Sequence, residues 1–111
     1  MSRYVNELNV TKSVDECAYI VQEIMRIEGF EFVEYKGEQV WKKGMGLMTA
    51  PQFIKIGFMP GRVHIEAWLR YALLPGVYVG EMGLEGFFGI ALKKVLKGRV
   101  KKIEEQLSLQ Y

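Results

Sequence analysis

The stretch RVHIEAWLRY, residues 62–71, alternates without a break. Val63, Ile65, Ala67, Leu69 and Tyr71 fall on one side, and Arg62, His64, Glu66, Trp68 and Arg70 on the other. Successive side chains of a strand point to opposite faces, so this pattern predicts a strand with one face covered and the other at least partly open. Such strands belong to antiparallel sheets. The apolar side then needs strand neighbours and a covering layer, and the flanking sequence offers both.

Upstream, Pro60-Gly61 is a turn signal. Before it, Gln52 to Met59 sets Ile54, Ile56 and Phe58 against Phe53, Lys55 and Gly57, a second alternating strand entered in extended form through Ala50-Pro51. The aromatic-rich run FEFVEYK, residues 30–36, breaks at Lys36-Gly37-Glu38, a hairpin signal. Gln39 to Lys43 continues it, with Val40 and Trp41 facing opposite ways, and Gly44-Met45-Gly46 marks a bend or bulge. Near the start, Tyr4 to Val10 alternates in part, with Tyr4, Leu8 and Val10 opposing Glu7 and Asn9. Downstream, Pro75-Gly76 breaks the chain before a short strand at Val77 to Val79.

Two segments have helical rather than strand spacing. Ser13-Val14-Asp15-Glu16 has the form of a capping box, and Val14, Cys17, Ala18, Val21, Ile24 and Met25 make one apolar stripe that stops at Gly29. A helix over about 14–28 follows. The second helix is expected from about Gly86 to Leu109, where Phe88, Leu92, Leu96, Val100, Ile103 and Leu107 recur at steps of three and four. Gly98 within it costs roughly 1 kcal/mol relative to alanine.

The order predicts an α+β domain: an antiparallel sheet in β-α-β-β-β-β-(β)-α order with the long C-terminal helix packed on it. At the level of topology this is similar to the TATA-binding-protein-like and helix-grip folds, in which a curved sheet wraps the C-terminal helix. Such folds host unrelated functions.

With 111 residues the chain reads as one domain, 1–111. Half its residues are hydrophobic and a quarter charged, which excludes disorder by composition. A net charge of +2 does not by itself argue for nucleic acid. Cys17 stands alone, so no internal disulfide or cysteine-based zinc site can form within one chain. MSRYVNELNV lacks the apolar core of a signal peptide, and a cytoplasmic location is expected.

Charge concentrates at one place. Lys93, Lys94, Lys97, Arg99, Lys101 and Lys102 fall within ten residues that hold no acid. A solvated helix face that also suits the helix dipole explains this; an anionic partner such as a membrane surface or a nucleic acid is the functional alternative.

Candidate chemistry is sparse. His64 and Glu66 lie two apart on one strand face and can share a proton or a metal, but no second histidine or cysteine pair completes a metal set. A polar cross-strand row is the plainer account. Trp68 and Arg70 share that row, and Trp41 lies in another strand. Large aromatics on a sheet face suit a base, a sugar ring or a partner, or equally lie under the flanking helix. Basic residues do not interleave with the aromatics as nucleic-acid binding would need.

The segment GVYVGEMGLEGFFG, residues 76–89, resembles a phosphate loop only in its glycines. Glu81 and Glu85 would repel phosphate, and no lysine has the required spacing. The same acids and Pro75 argue against a membrane-spanning helix. Phe87 and Phe88 are left as candidates for lining a pocket, touching a partner or resting on a membrane surface ahead of the basic run.

The stretches EYKGEQVWKKG (34–44), TAPQFIKI (49–56), VHIEAWLRYALLPGVYVGEMGLEGFFG (63–89) and ALKKVLKGRV (91–100) resemble an uncharacterised family of small bacterial domains. In longer relatives the domain is joined to zinc ribbons or membrane segments. The resemblance implies a stand-alone version of a module and brings no catalytic residues; the cysteines of a zinc ribbon are missing.

No acid–base pair, nucleophile dyad or metal set stands out, so a non-catalytic binding or interaction module without a cofactor is expected. The alternative is a small carrier or enzyme holding an apolar ligand between the sheet and the C-terminal helix. Candidate contact residues are His64, Glu66, Trp68, Arg70, Phe87 and Phe88. The expected partner is a protein or a small apolar ligand, with peripheral membrane contact and homo-oligomerisation left open.

Overall fold

The structure, a computed structural model, describes residues 3–44, 51–74, 77–82 and 90–109, and between 70 and 92 it describes the backbone alone. The elements run β1 (Tyr4–Asn9), α1 (Val14–Glu28), β2 (Glu31–Tyr35), β3 (Glu38–Lys43), β4 (Gln52–Met59), β5 (Arg62–Leu74), β6 (Val77–Met82) and α2 (Ile90–Ser108). This is the expected α+β order.

All six strands form one antiparallel sheet ordered β1-β5-β4-β3-β2, with β6 also on β5. Strands β2 to β6 follow one another as neighbours. Strand β1 joins from the far end of the sequence, with Tyr4 opposite Ala67 and Asn9 opposite Arg62. Strand β5 is the hub. Its first part carries β1 and β4, and its later part carries β6 from Leu69 opposite Met82 to Leu74 opposite Val77.

Local chemistry accounts for the element ends. Ser13 caps α1, its hydroxyl accepting from the Glu16 N–H while the Glu16 carboxylate accepts from the Ser13 N–H. Gly29 closes the helix at φ 83°, where its N–H bonds the Arg26 carbonyl and the Phe30 N–H reaches back to Met25. The β4–β5 hairpin turns at Pro60-Gly61, with Gly61 at φ 80°. Proline followed by a positive-φ glycine is the type II arrangement.

Two expectations are extended. Strand β5 runs to Leu74 rather than Tyr71, and β6 to Met82 rather than Val79, because each supplies the other's backbone partners through register irregularities between Arg70 and Leu74. Gly80 falls within β6 at one of these register shifts, between the Arg70–Glu81 and Ala72–Tyr78 pairs. The expected start of the second helix near Gly86 lies outside the described residues.

Both helices lie on the inner face, the side bearing Ile54, Val63, Ile65, Ala67 and Leu69. Helix α1 contributes Cys17, Val21, Ile24 and Met25 to that core, and α2 contributes Leu96, Val100, Ile103 and Leu107. Polar contacts fix the layer in place. The Tyr4 hydroxyl and the Asn6 amide both donate to Glu104 of α2, at 2.6 and 2.8 Å. Burial first, and then this acid, push the Tyr4 hydroxyl up to about 12. Arg99 of α2 donates to Glu28 of α1 and to the amide oxygen of the buried Gln52 on β4.

Candidate functional site

Helix α1 packs toward β4, and α2 toward β5 and β1. The inner face of β2 and β3 is only partly covered by α1, whose Glu28 carbonyl accepts from Lys43. A groove of about 470 Å³ opens there, walled by Ala18, Val21 and Gln22 of α1 and by Phe32, Trp41, Ile56 and Phe58 of β2, β3 and β4. Phe32 is 57 % exposed and meets Trp41 with ring centroids 4.9 Å apart. The apolar groove therefore lies against α1, whereas the side chains of α2 from Leu96 to Leu107 fill the inner face they cover.

The outer face carries the row containing His64, Glu66 and Trp68, and the structure joins these residues to others far away in sequence. His64 lies between two carboxylates. Its Nε2 is 2.7 Å from Glu66, and its Nδ1 bonds Glu7 across the β1–β5 pair. Arg3 donates to Glu66 at 3.0 Å and to both oxygens of Glu38, while Lys55 donates to Glu38 at 2.8 Å. Arg62 flanks Glu7 at 3.5 Å. One network thus ties β1, β5, β4 and β3 together across the face.

Its electrostatics follow from those contacts. Hydrogen bonds from Arg3 and then Lys55 hold the Glu38 carboxyl down at about 2. Burial works to raise Glu66, but its bonds with His64 and Arg3 outweigh that and keep it below the ordinary value. Bonds to Glu66 and then Glu7 raise the His64 imidazole and favour the imidazolium. With a carboxylate on each ring nitrogen, His64 has no lone pair facing outward to take a substrate proton. Among the described residues no cluster of histidine, cysteine and acid side chains is arranged to hold a metal ion.

Trp68 belongs to a second, smaller core on this face, formed with Tyr35, Val40 and Phe53. It is 0 % exposed. Phe53 stacks on it at 5.4 Å and 7°, and the Arg3 guanidinium lies 3.6 Å from the ring centroid, so both faces of the indole are taken. Arg70 sits in β5 opposite Glu81, its side chain outside the described residues. Phe87 and Phe88, with most of the glycine segment, also lie outside them.

The basic run is divided: Lys93 is buried, and Arg99 and Lys102 are engaged by Glu28, while Lys94, Lys97 and Lys101 are exposed on one side of α2. No basic residue lies in the last turn of α2, so the run does not complement the helix dipole as expected. Cys17 is a buried thiol raised by burial, in keeping with a structural role. Among the described residues no helix is long and apolar enough to cross a membrane.

Of the groove residues, sequence reasoning named Trp41 with Trp68 as a large aromatic on a sheet face, but it did not name Phe32. Both stand in strands whose alternation fixes their common face, but only the placement of α1 shows how much of this face is left uncovered. Comparison with protein-family models, curated proteins and solved structures finds no match to the chain.

Proposed function

We propose that the protein is a non-catalytic binding module that takes a small, ring-bearing apolar ligand in the groove between α1 and the inner face of β2–β4. The observation that carries this reading is the 57 % exposure of Phe32 beside Trp41 in a concavity whose described walls are apolar apart from Gln22. At about 470 Å³ the groove falls within the usual span of ligand pockets. Its aromatic walls suit a flat ring, and the amide of Gln22 offers one polar group to orient it. The outer-face histidine is engaged in ion pairs, which supports a role without acid–base chemistry.

The test uses anilinonaphthalene sulfonate as an apolar ring probe, read by energy transfer from tryptophan. Saturable binding by the wild type that is lost in Phe32→Ser supports the groove. Absence of saturable binding up to roughly millimolar probe, or equal binding by Phe32→Ser, sinks it. Turnover of an ester, phosphate or nucleotide by the purified protein would remove the non-catalytic part of the proposal.

A further inference from the structure

Strand β2 ends the sheet and, among the described residues, pairs only with β3. The Lys36-Gly37 loop, at φ 51° and 83°, closes that hairpin on Tyr35 and Glu38. In a two-residue hairpin the closing pair is hydrogen-bonded, and such pairs alternate along an antiparallel ladder. Glu31, Val33 and Tyr35 therefore turn their backbone groups toward β3. Phe32 and Glu34 turn theirs outward, leaving two N–H and two C=O groups with no strand partner among the described residues.

The geometry points to a second copy of this chain as the occupant, with β2 paired antiparallel to the partner's β2 about a two-fold axis through Val33. In that register Phe32 stands opposite the partner's Glu34 and Glu34 opposite the partner's Phe32. All the outward groups of both strands are then bonded. Val33 meets its own copy on the outer face. Glu31 comes beside the partner's Tyr35 and so beside the partner's Lys36, because within each chain the Lys36 ammonium lies 5.3 Å from the Tyr35 ring.

Acidic residues on an edge commonly blunt it. Here, in the register centred on Val33, neither glutamate of the strand EFVEY is directly opposite another carboxylate. Moving the axis to Glu34 sets two glutamates opposite each other, which is destabilising. Moving it to Phe32 leaves the outward groups of Glu34 opposite Phe30, beyond the end of the strand. The Val33 register pairs inner face with inner face, so the two sheets become one and the two Phe32 rings approach across the axis. A five-residue strand forms a contact below the size of a permanent interface, so association depends on concentration.

Sedimentation equilibrium of the full chain from roughly micromolar to millimolar concentration tests this. The mass-average molecular weight of the wild type should double across the range. Glu34→Pro removes an outward N–H that β3 does not use, and it should stay monomeric with an unchanged circular dichroism spectrum. Lys36→Glu sets like charges against Glu31 of the partner subunit and should raise the midpoint concentration by about tenfold. A wild type that stays monomeric throughout, or variants that associate at the wild-type midpoint, overturns the proposal. If Glu34→Pro does not fold, Lys36→Glu decides alone. Probe binding at the dilute end of the range tests the groove separately, so either proposal can fail without the other.

Discussion

The two sides of β5 meet the same need by different means. On the inner side Val63, Ile65, Ala67 and Leu69 are buried beneath two helices, and burial there follows from apolar area alone. On the outer side the alternate residues are His64, Glu66 and Trp68, and among the described residues no helix lies over them. Arg3 lies on the Trp68 ring instead, held by Glu38 and Glu66, while Phe53 and Tyr35 flank the indole. A strand face that appears polar in sequence can therefore conceal a core, provided a long cationic side chain covers it. The outer core is closed by a charged side chain, whereas the inner one is closed by apolar side chains with ion pairs only at its margins.

Substitutions can break or sharpen that contrast. The largest effect is expected from Trp68→Ala, which should cost about 3–5 kcal/mol in denaturant unfolding, similar to the about 2–5 kcal/mol of Ile65→Ala on the inner side. A cost below about 1 kcal/mol would show that the outer cluster is surface decoration. The indole Nε1 is buried with no hydrogen-bond partner among the described residues, so Trp68→Phe should be much milder than Trp68→Ala.

Next in size is Glu38→Gln, at about 1–2 kcal/mol near neutral pH, with a loss that shrinks in high salt. The Glu38 carboxyl lies below its unfolded value, so its contribution is full above about 4.5 and is lost as pH falls toward about 2. Stability of the wild type should fall through that window, and Glu38→Gln should flatten it. An unchanged acid limb would detach Glu38 from the fold's stability.

His64→Gln should cost under about 1 kcal/mol, consistent with a partly exposed ion pair. Its imidazole is raised above 6.5, so the stabilisation is present below that pH and disappears as pH rises through the higher folded value. The variant should lose that alkaline dependence, and Ile65→Ala should keep it. A pH profile shared by wild type and His64→Gln would contradict the network.

The smallest effect is a gain. A Cβ at Gly98 meets nothing within 4 Å, and the position lies on the exposed side of α2. Gly98→Ala should add up to about 1 kcal/mol, read as a higher midpoint in thermal unfolding. A loss there would mean that α2 is covered on a side that the inner core does not use.

Much of the architecture is written in neighbouring residues. The alternation of RVHIEAWLRY, the Ser13–Glu16 cap, the Gly29 stop and the turns at Lys36-Gly37 and Pro60-Gly61 all act within a few positions, and each stands where it was expected. Candidate sites were less legible. His64 and Glu66 are two apart and adjacent in space, but Glu7 and Arg3 reach them only because β1 lies against β5. Trp68 reads as part of a polar row, and its burial depends on Arg3, 65 positions earlier in the chain.

Sequence by itself thus determined the strands, the caps, the turns and which residues share each strand face, because periods of two and 3.6 are local consequences of backbone geometry. Tertiary structure decided which strand ended the sheet, which face the helices left bare and which carboxylates His64 met. Those outcomes depend on contacts between residues tens of positions apart, where no local period carries information. Phe32 shows the division well. Its face was fixed by the alternation of β2, and its exposure by where α1 came to rest.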